Sequence, residues 1–179
     1  MRPQRFALAL LRTMGYPETD NNLKSVLAWI GLEGGHYHNG ALYNPLNTTQ
    51  SMPGARSWSG TVPIKIYSSW QEGLDATVKT LNYGAYSAVR AGLALSRSPE
   101  EVHQAIKATP WGTKNYQAGS AEGLANSVLR WQDPHEGQGG DFAILGGAGG
   151  FFDRLKERLP GLLVGAGILG GVVYFATKK

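Results

Sequence analysis

The chain has 179 residues, a formal net charge of +4 and a pI near 9.4. Hydrophobic residues make up 42% of the sequence and it contains no cysteine, so a packed core is expected, while disulfide bonds and thiolate metal sites are excluded. The basic residues are scattered and form no long run, which argues against binding to nucleic acid. The mild positive charge suits an anionic surface such as a cell wall or a membrane.

Helical patterns occupy the first part of the chain. Pro3 stands near the start of an amphipathic segment that we interpret as a first helix and not as a secretory signal, because no cleavage site follows it. A second helix is predicted from Thr19 or Asp20 to about Glu33. Further helices are predicted at residues 69–81, 86–95, 98–109 and 120–131, two of them opened by capping-box patterns that pair Ser69 with Glu72 and Ser98 with Glu101.

One short strand is predicted among these helices. Val62, Ile64 and Ile66 recur at every second position, so an extended segment is expected near Thr61–Tyr67. The residues before it are rich in Gly, Pro, Asn, Ser and Thr, a composition typical of loops. We therefore predict a mainly α domain over residues 1–132 that contains a short extended segment.

The composition changes after this domain. Residues 133–150 are rich in glycine and predict a flexible linker. Residues 151–179 are predicted to form an amphipathic lead-in and a membrane-spanning helix, whose nineteen residues 159–177 are uncharged. As a helix, that uncharged stretch is about 28 Å long, close to the roughly 30 Å hydrocarbon core of a bilayer. A single transmembrane helix is therefore predicted. Two GxxxG spacings within it favour association between copies of the chain: Gly161 with Gly165, and Gly167 with Gly171.

Glu33 is a carboxylate at a position where the helical pattern favours an apolar residue. It lies three residues after Ile30 and seven after Val26, so it continues the apolar face of the second helix. Gly34 and Gly35 follow it. A carboxylate at the buried end of a helix is expected to have a raised pKa, which is what a general acid needs. The alternative is a half-solvated glutamate at a frayed helix end.

A polar loop follows this carboxylate. Residues 34–50 are dense in amide and hydroxyl groups and include two tyrosines. Amides bind the hydroxyl and N-acetyl groups of sugars, and aromatic rings stack on the apolar faces of sugars, so the loop favours glycan binding. Trp58 and Trp111 also fall in predicted loops, where they can stack on sugars, whereas the tryptophans in predicted helices are expected in the core.

Four motifs in this sequence resemble those of one known family, in the same order. They are Leu32-Glu33-Gly34-Gly35, Tyr43-Asn44-Pro45-Leu46-Asn47-Thr48-Thr49-Gln50, Ile66-Tyr67-Ser68-Ser69-Trp70-Gln71-Glu72-Gly73 and Thr109-Pro110-Trp111-Gly112-Thr113. Over residues 5–130 the chain thereby resembles a lysozyme-like family of actinobacterial phages and hosts, related to goose-type lysozymes and soluble lytic transglycosylases. The resemblance implies a mostly α lysozyme-like fold with a glycan cleft.

The resemblance also implies roles for single residues. Glu33 takes the position of the family's catalytic acid, at the end of the helix that precedes an Asn-Pro loop. Six further residues would line the substrate cleft: Asn44, Asn47, Thr48, Thr49, Tyr67 and Trp111.

The number of available carboxylates bears on the mechanism. A glycoside hydrolase ordinarily needs two, whereas a lytic transglycosylase uses one and lets the N-acetyl and 6-hydroxyl groups of the sugar complete the reaction. No acidic residue lies between Glu33 and Glu72, and the next one, Asp75, lies off the apolar face of its predicted helix. The sequence therefore favours the single-acid route, with a two-carboxylate lysozyme as the alternative.

These observations predict a single-pass membrane enzyme that cleaves the MurNAc-GlcNAc bond of peptidoglycan without a cofactor. A phage virion protein that opens the cell wall during entry fits this layout, and so does a host enzyme that remodels the wall. The membrane is then the internal membrane of the virion or the bacterial cell membrane, and glycan strands and lipid are the expected partners. The rival from another class is a non-catalytic, glycan-binding membrane protein of a virion. Zinc binding by His36 and His38 is a further alternative, although no fixed ligand spacing supports it and no metal is expected.

Overall fold

Helices make up most of the part of the chain that the structure describes. This computed structural model describes residues 3–34, 40–58, 63–111 and 120–130, all of which belong to the compact unit Met1–Ala143. The helices in these ranges are α1 (Pro3–Met14), α2 (Asp20–Leu32), α3 (Trp70–Leu81), α4 (Ser87–Ala94), α5 (Pro99–Lys107) and α6 (Ala121–Val128), with a 3-10 helix at Gly84–Tyr86 before α4. The mainly α class predicted from the sequence is confirmed.

Helix α2 lies at the centre of the described helices. Residues 25–30 are all buried, so the helix is covered on nearly every side and not only along the predicted apolar face. Helices α1, α5 and α6 pack against it. Helix α6 approaches closely at Gly31, where an added Cβ would lie 3.0 Å from a methyl carbon of Val128. The end of α2, where Glu33 lies, is thus attached to the most deeply buried element described.

Side-chain caps define where these helices begin. Thr19 accepts a hydrogen bond from the main chain at the start of α2, and Ser98 with Glu101 forms the complete capping box predicted at α5. At α3 the prediction is half right. The hydroxyl of Ser69 accepts from the N–H of Glu72 at 3.2 Å, as predicted, but the Glu72 carboxylate binds residues outside the helix instead of closing the box.

The sheet is a single antiparallel pair, β1 (Arg56–Ser57) with β2 (Lys65–Ile66). In its register Arg56 pairs with Ile66 and Ser57 with Lys65. The predicted extended segment contains β2 but is longer than the observed strand, and its residues 61 and 62 lie outside the described ranges. Strand β1 was not predicted, because its two exposed polar residues show no alternation.

The C-terminal predictions concern residues beyond those that the structure describes. Among the described residues, none of the helices has the length and apolar character needed to cross a bilayer. The linker predicted at 133–150, the span predicted at 159–177 and its GxxxG spacings lie outside the described residues, so they stay predictions.

Candidate active site

Glu33 lies at the C-terminal end of α2, as predicted. Its N–H donates to the carbonyl of Trp29 at 3.0 Å, and the next residue, Gly34, turns the chain with a φ of +60°. A glycine in the left-handed region is a common helix ending, since it carries no Cβ to clash. Glu33 is partly buried and its Oε1 atom is buried. The helix therefore brings a carboxylate, partly covered by protein, to the start of the polar loop.

Asn44 organises this loop from beneath its surface. The residue is only 1% exposed. Its Nδ2 donates to the carbonyls of Thr48 at 2.9 Å and Lys65 at 2.7 Å, and its Oδ1 accepts from the Thr48 N–H at 2.9 Å. Both donors and the acceptor of the amide are thus used inside the protein. The structure places Asn44 as a residue that positions the loop and not as one that faces a cleft.

Two more of the expected cleft residues are also buried. Thr48 and Tyr67 are 3% and 2% exposed. The Thr48 hydroxyl lies 3.0 Å from that of Thr80 on α3, and the Tyr67 hydroxyl donates to the carbonyl of Gln50 at 2.7 Å. Burial raises the pKa of Tyr67 well above its usual value against a smaller opposing effect of Thr48, so the phenol stays protonated and can donate. Like Asn44, these residues hold the loop from inside.

Strand β2 and helix α3 support the loop from two sides. Main-chain N–H groups of Lys65 and Tyr67 donate to the carbonyls of Thr48 and Leu42, each at 3.2 Å. On α3, Gly73 lies against the loop and leaves no room for a side chain. A glycine inside a helical pattern can indicate such a close approach, so the sequence contains a signal for this contact.

The remaining three expected cleft residues have some exposure. Asn47 is partly buried, and its Nδ2 donates to the main-chain carbonyl of Glu33 at 2.5 Å. Thr49 is exposed and Trp111 is partly buried. The structure thus brings Asn47 directly to the end of α2. Contact of any of these three residues with a glycan stays a prediction.

Trp111 connects the loop to the helical core. Its Nε1 donates to the carbonyl of Leu46 at 2.9 Å. Its ring centroid lies 4.6 Å from that of Trp29 and 5.4 Å from that of Tyr86, both in edge-on geometry. Trp29 and Trp70 are buried, as predicted for tryptophans in helices. Since one edge of Trp111 is used in packing, only its remaining surface is available to a sugar.

Trp58 is the most exposed tryptophan among the described residues, at 40%. Its main-chain N–H donates to the carbonyl of Ile64 at 2.9 Å, which continues the β1–β2 pairing by one residue. An added Cβ at Gly40 would lie 2.7 Å from the indole Nε1, so the ring edge lies over the start of the described loop. This location is compatible with the predicted stacking on sugars, which stays a prediction.

The next two acidic residues along the chain are engaged elsewhere. Glu72 accepts from the N–H of Gly54 and from the N–H and hydroxyl of Ser68, all at 2.7 Å. Burial acts to raise the pKa of Glu72, but these hydrogen bonds outweigh it and hold the pKa below its usual value. Asp75 is exposed and accepts from the Nε2 of Gln71 at 2.8 Å. Glu72 therefore links the loop at Gly54 to the start of α3, a role that its sequence pattern did not reveal.

The candidate zinc ligands His36 and His38 lie outside the described residues, as does Gly112 of the last motif. Within the described ranges, no group of three or more His, Asp or Glu side chains is placed to hold a metal ion.

Comparison of the chain with protein-family models, curated proteins and solved structures found no match. The resemblance to a lysozyme-like family therefore stays a prediction, which depends on the four sequence motifs.

Proposed function

We propose that this chain is a peptidoglycan lytic transglycosylase in which Glu33 is the only catalytic carboxylate. The observation that carries the proposal is the junction of Glu33 with the loop that follows it. Glu33 carries a partly buried carboxylate at a helix end, its main-chain carbonyl accepts a hydrogen bond from Asn47 of the polar loop, and that loop is held by hydrogen bonds to β2 and α3. A backbone held in this way supports a reproducible geometry between the side chain of Glu33 and a bound glycan.

The proposed reaction needs two proton transfers by the same side chain. The protonated Glu33 gives its proton to the glycosidic oxygen as the bond from that oxygen to C1 of MurNAc breaks. The resulting carboxylate then accepts the proton of the 6-hydroxyl as that oxygen bonds to C1 and closes the 1,6-anhydro ring. No water is consumed. The N-acetyl group stabilises the positive charge that develops at C1 between these steps.

The surroundings of the next two acidic residues along the chain favour one acid over two. Glu72 is fixed by three hydrogen bonds, and Asp75 is exposed to solvent on α3. Neither arrangement resembles that of a base or nucleophile held beside Glu33, which a two-carboxylate hydrolase needs.

The membrane attachment is part of the proposal and rests on the sequence. The uncharged residues 159–177, preceded by a glycine-rich linker, would tether the enzyme to a membrane next to the peptidoglycan layer. A virion protein that opens the wall during infection would use such a layout.

The test compares the full-length protein with Glu33→Gln and Asp75→Asn. Each is incubated with purified peptidoglycan, and the released fragments are identified by mass spectrometry. Loss of a general acid lowers rates by roughly 10²–10⁴-fold, so we expect anhydro-muramyl ends with the wild type and Asp75→Asn and essentially none with Glu33→Gln.

The other outcomes point to the rival functions. Hydrolytic, reducing ends that disappear in Asp75→Asn would identify a two-carboxylate lysozyme. Cleavage that stops in EDTA would identify a metal-dependent hydrolase. A folded wild-type protein that binds peptidoglycan without cleaving it would identify a non-catalytic, glycan-binding protein.

A further inference from the structure

The main chain of Glu33 is held on both sides. Its N–H donates to Trp29 within the last turn of α2 at 3.0 Å, and its carbonyl accepts from the Nδ2 of Asn47 at 2.5 Å. The carbonyls at a helix end have no partner within the helix, and a buried one must be satisfied from outside. Asn47 supplies that partner from fourteen residues further along the chain. The peptide group from which the Glu33 side chain is oriented is thus fixed by the loop.

Asn47 is itself held in an uncommon backbone conformation. Its φ is +52°, in the left-handed region, which is strained for most L-residues but is tolerated best by asparagine after glycine. Hydrogen bonds to Asn44 before it and from Thr48 after it enforce this conformation. The Asn47 N–H donates to the carbonyl of Asn44 at 3.1 Å, and the next residue, Thr48, is buried with its N–H on the Asn44 side chain. Such strain persists where the surrounding structure over-determines the backbone.

We infer that Asn47 is a positioning residue for Glu33, and this inference rests on the proposed function. It acts through the main chain of Glu33, in contrast to the sugar contact that the family resemblance implies. A misplacement of about 1 Å in a reacting group lowers turnover by as much as about 100-fold, so one hydrogen bond at this junction is enough to affect catalysis. The left-handed backbone at Asn47 directs its side-chain amide to the end of α2.

The kinetic test uses Asn47→Gly in the full-length protein. Glycine accepts the left-handed conformation without strain and removes only the amide, whereas Asn47→Ala removes the amide and adds strain. With soluble, uncrosslinked glycan strands as substrate, we expect Asn47→Gly to lower kcat by about 10- to 100-fold with little change in KM. Asn82→Gly makes the same chemical change at the exposed C-cap of α3 and should leave both constants unchanged.

A raised KM with an unchanged kcat would overturn the inference, because it would assign Asn47 to the binding of the sugar. A kcat and KM both unchanged would overturn it as well.

A second measurement separates this inference from the proposed activity. Backbone relaxation in the ¹⁵N-labelled full-length protein gives the order parameter of Glu33, which is about 0.85 for rigid backbone and below about 0.6 for flexible backbone. We expect it to fall in Asn47→Gly and to stay unchanged in Asn82→Gly. If the wild type cleaves no glycan and Glu33 still loosens in Asn47→Gly, the activity is refuted and the positioning role stands. If the wild type cleaves glycan and Glu33 stays rigid in Asn47→Gly, the positioning role is refuted.

Discussion

The carbonyl oxygen of Tyr43 lies directly against Gly73, so that a Cβ added at residue 73 would come within 1.8 Å of it. Tyr43 has a φ of +60°, and this turn aims its carbonyl at α3. The Tyr43 ring packs edge-on to Trp70 one turn earlier in that helix, with centroids 5.4 Å apart. The loop that follows Glu33 is therefore seated on α3 through a contact that only glycine allows.

Gly73→Ala is expected to displace this loop and to destabilise the protein. A methyl group cannot fit 1.8 Å from an oxygen, so either the loop or the helix must move, at a cost of about 1–3 kcal/mol. Chemical denaturation measures the change in the free energy of unfolding. Gly84→Ala is the matched control, because an added Cβ there meets nothing within 4 Å and should be neutral or slightly stabilising. Equal stability of the two variants would contradict the observed packing.

Glu72→Gln is expected to weaken the acid dependence of stability. Because the pKa of Glu72 is lowered on folding, its contribution is fully present above the usual glutamate pKa of about 4.3 and is lost as the pH falls through the folded value. Hydrogen bonds to a charged acceptor contribute roughly 1.5–3 kcal/mol, so we expect Glu72→Gln to lose about 1–2 kcal/mol at pH 7 and less at pH 3.

The measurement is urea unfolding of the wild type and of Glu72→Gln between pH 3 and 7. Asp75→Asn, an exposed change one turn along the same helix, serves as the control and should follow the wild-type curve. A constant difference between wild type and Glu72→Gln across this range would contradict a lowered Glu72 pKa.

The hydroxyls of Thr48 and Thr80 are expected to be energetically coupled. Thr80 donates its single hydroxyl hydrogen to the carbonyl of Ala76 at 2.9 Å, so in the 3.0 Å contact between the two threonines Thr48 must be the donor. We expect Thr48→Val and Thr80→Val each to cost about 1 kcal/mol, and the double variant to cost less than the sum. Thr77→Val is the control, since its buried hydroxyl donates to Gly73 instead and should add independently to Thr48→Val.

Local signals were sufficient to predict the helices. Ser98 and Glu101 stand at the spacing of a capping box and form one, and Thr19 starts α2 where the periodic pattern begins. The all-round burial of α2 was not predictable in this way. Ser25 and Ala28 on its other sides are small or polar, and only the packing of α5 and α6 against the helix shows that they are buried.

The location of Glu33 at the end of α2 was predictable from the sequence, but the internal arrangement of the loop that follows it was not. Glu33 was located from its spacing to Val26 and Ile30, which depends only on one helix. The roles of Asn44 and Thr48 depend on partners 21 and 32 residues away, at Lys65 and Thr80. The sequence does not show such distant partners, so a polar side chain in a loop is interpreted as a ligand for substrate. For this reason Asn44 and Thr48 were expected in the cleft.

His103 on α5 is a buried histidine that the proposed chemistry does not use. Its Nε2 is buried and has no hydrogen-bond partner among the described residues. Burial lowers the pKa of His103, the positive charge of Lys107 lowers it further, and Glu100 opposes them. The neutral imidazole is therefore the form that the folded protein favours.

The pH dependence that follows has a definite sign. Above the usual histidine pKa of about 6.5, His103 is neutral in both states and folding pays no penalty. As the pH falls below that value the unfolded chain takes up the proton first, so stability declines until the folded pKa is reached. We expect His103→Leu to remove this part of the decline. At pH 7.5 the free energy of unfolding should be unchanged or higher by up to about 1 kcal/mol, since leucine leaves no buried nitrogen without a hydrogen-bond partner. Thermal unfolding of the wild type and His103→Leu between pH 5 and 7.5 gives the difference in stability between the two proteins at each pH. The contributions of the other titrating groups cancel in this difference. Parallel curves would show that His103 is protonated as readily in the folded protein as in the unfolded chain.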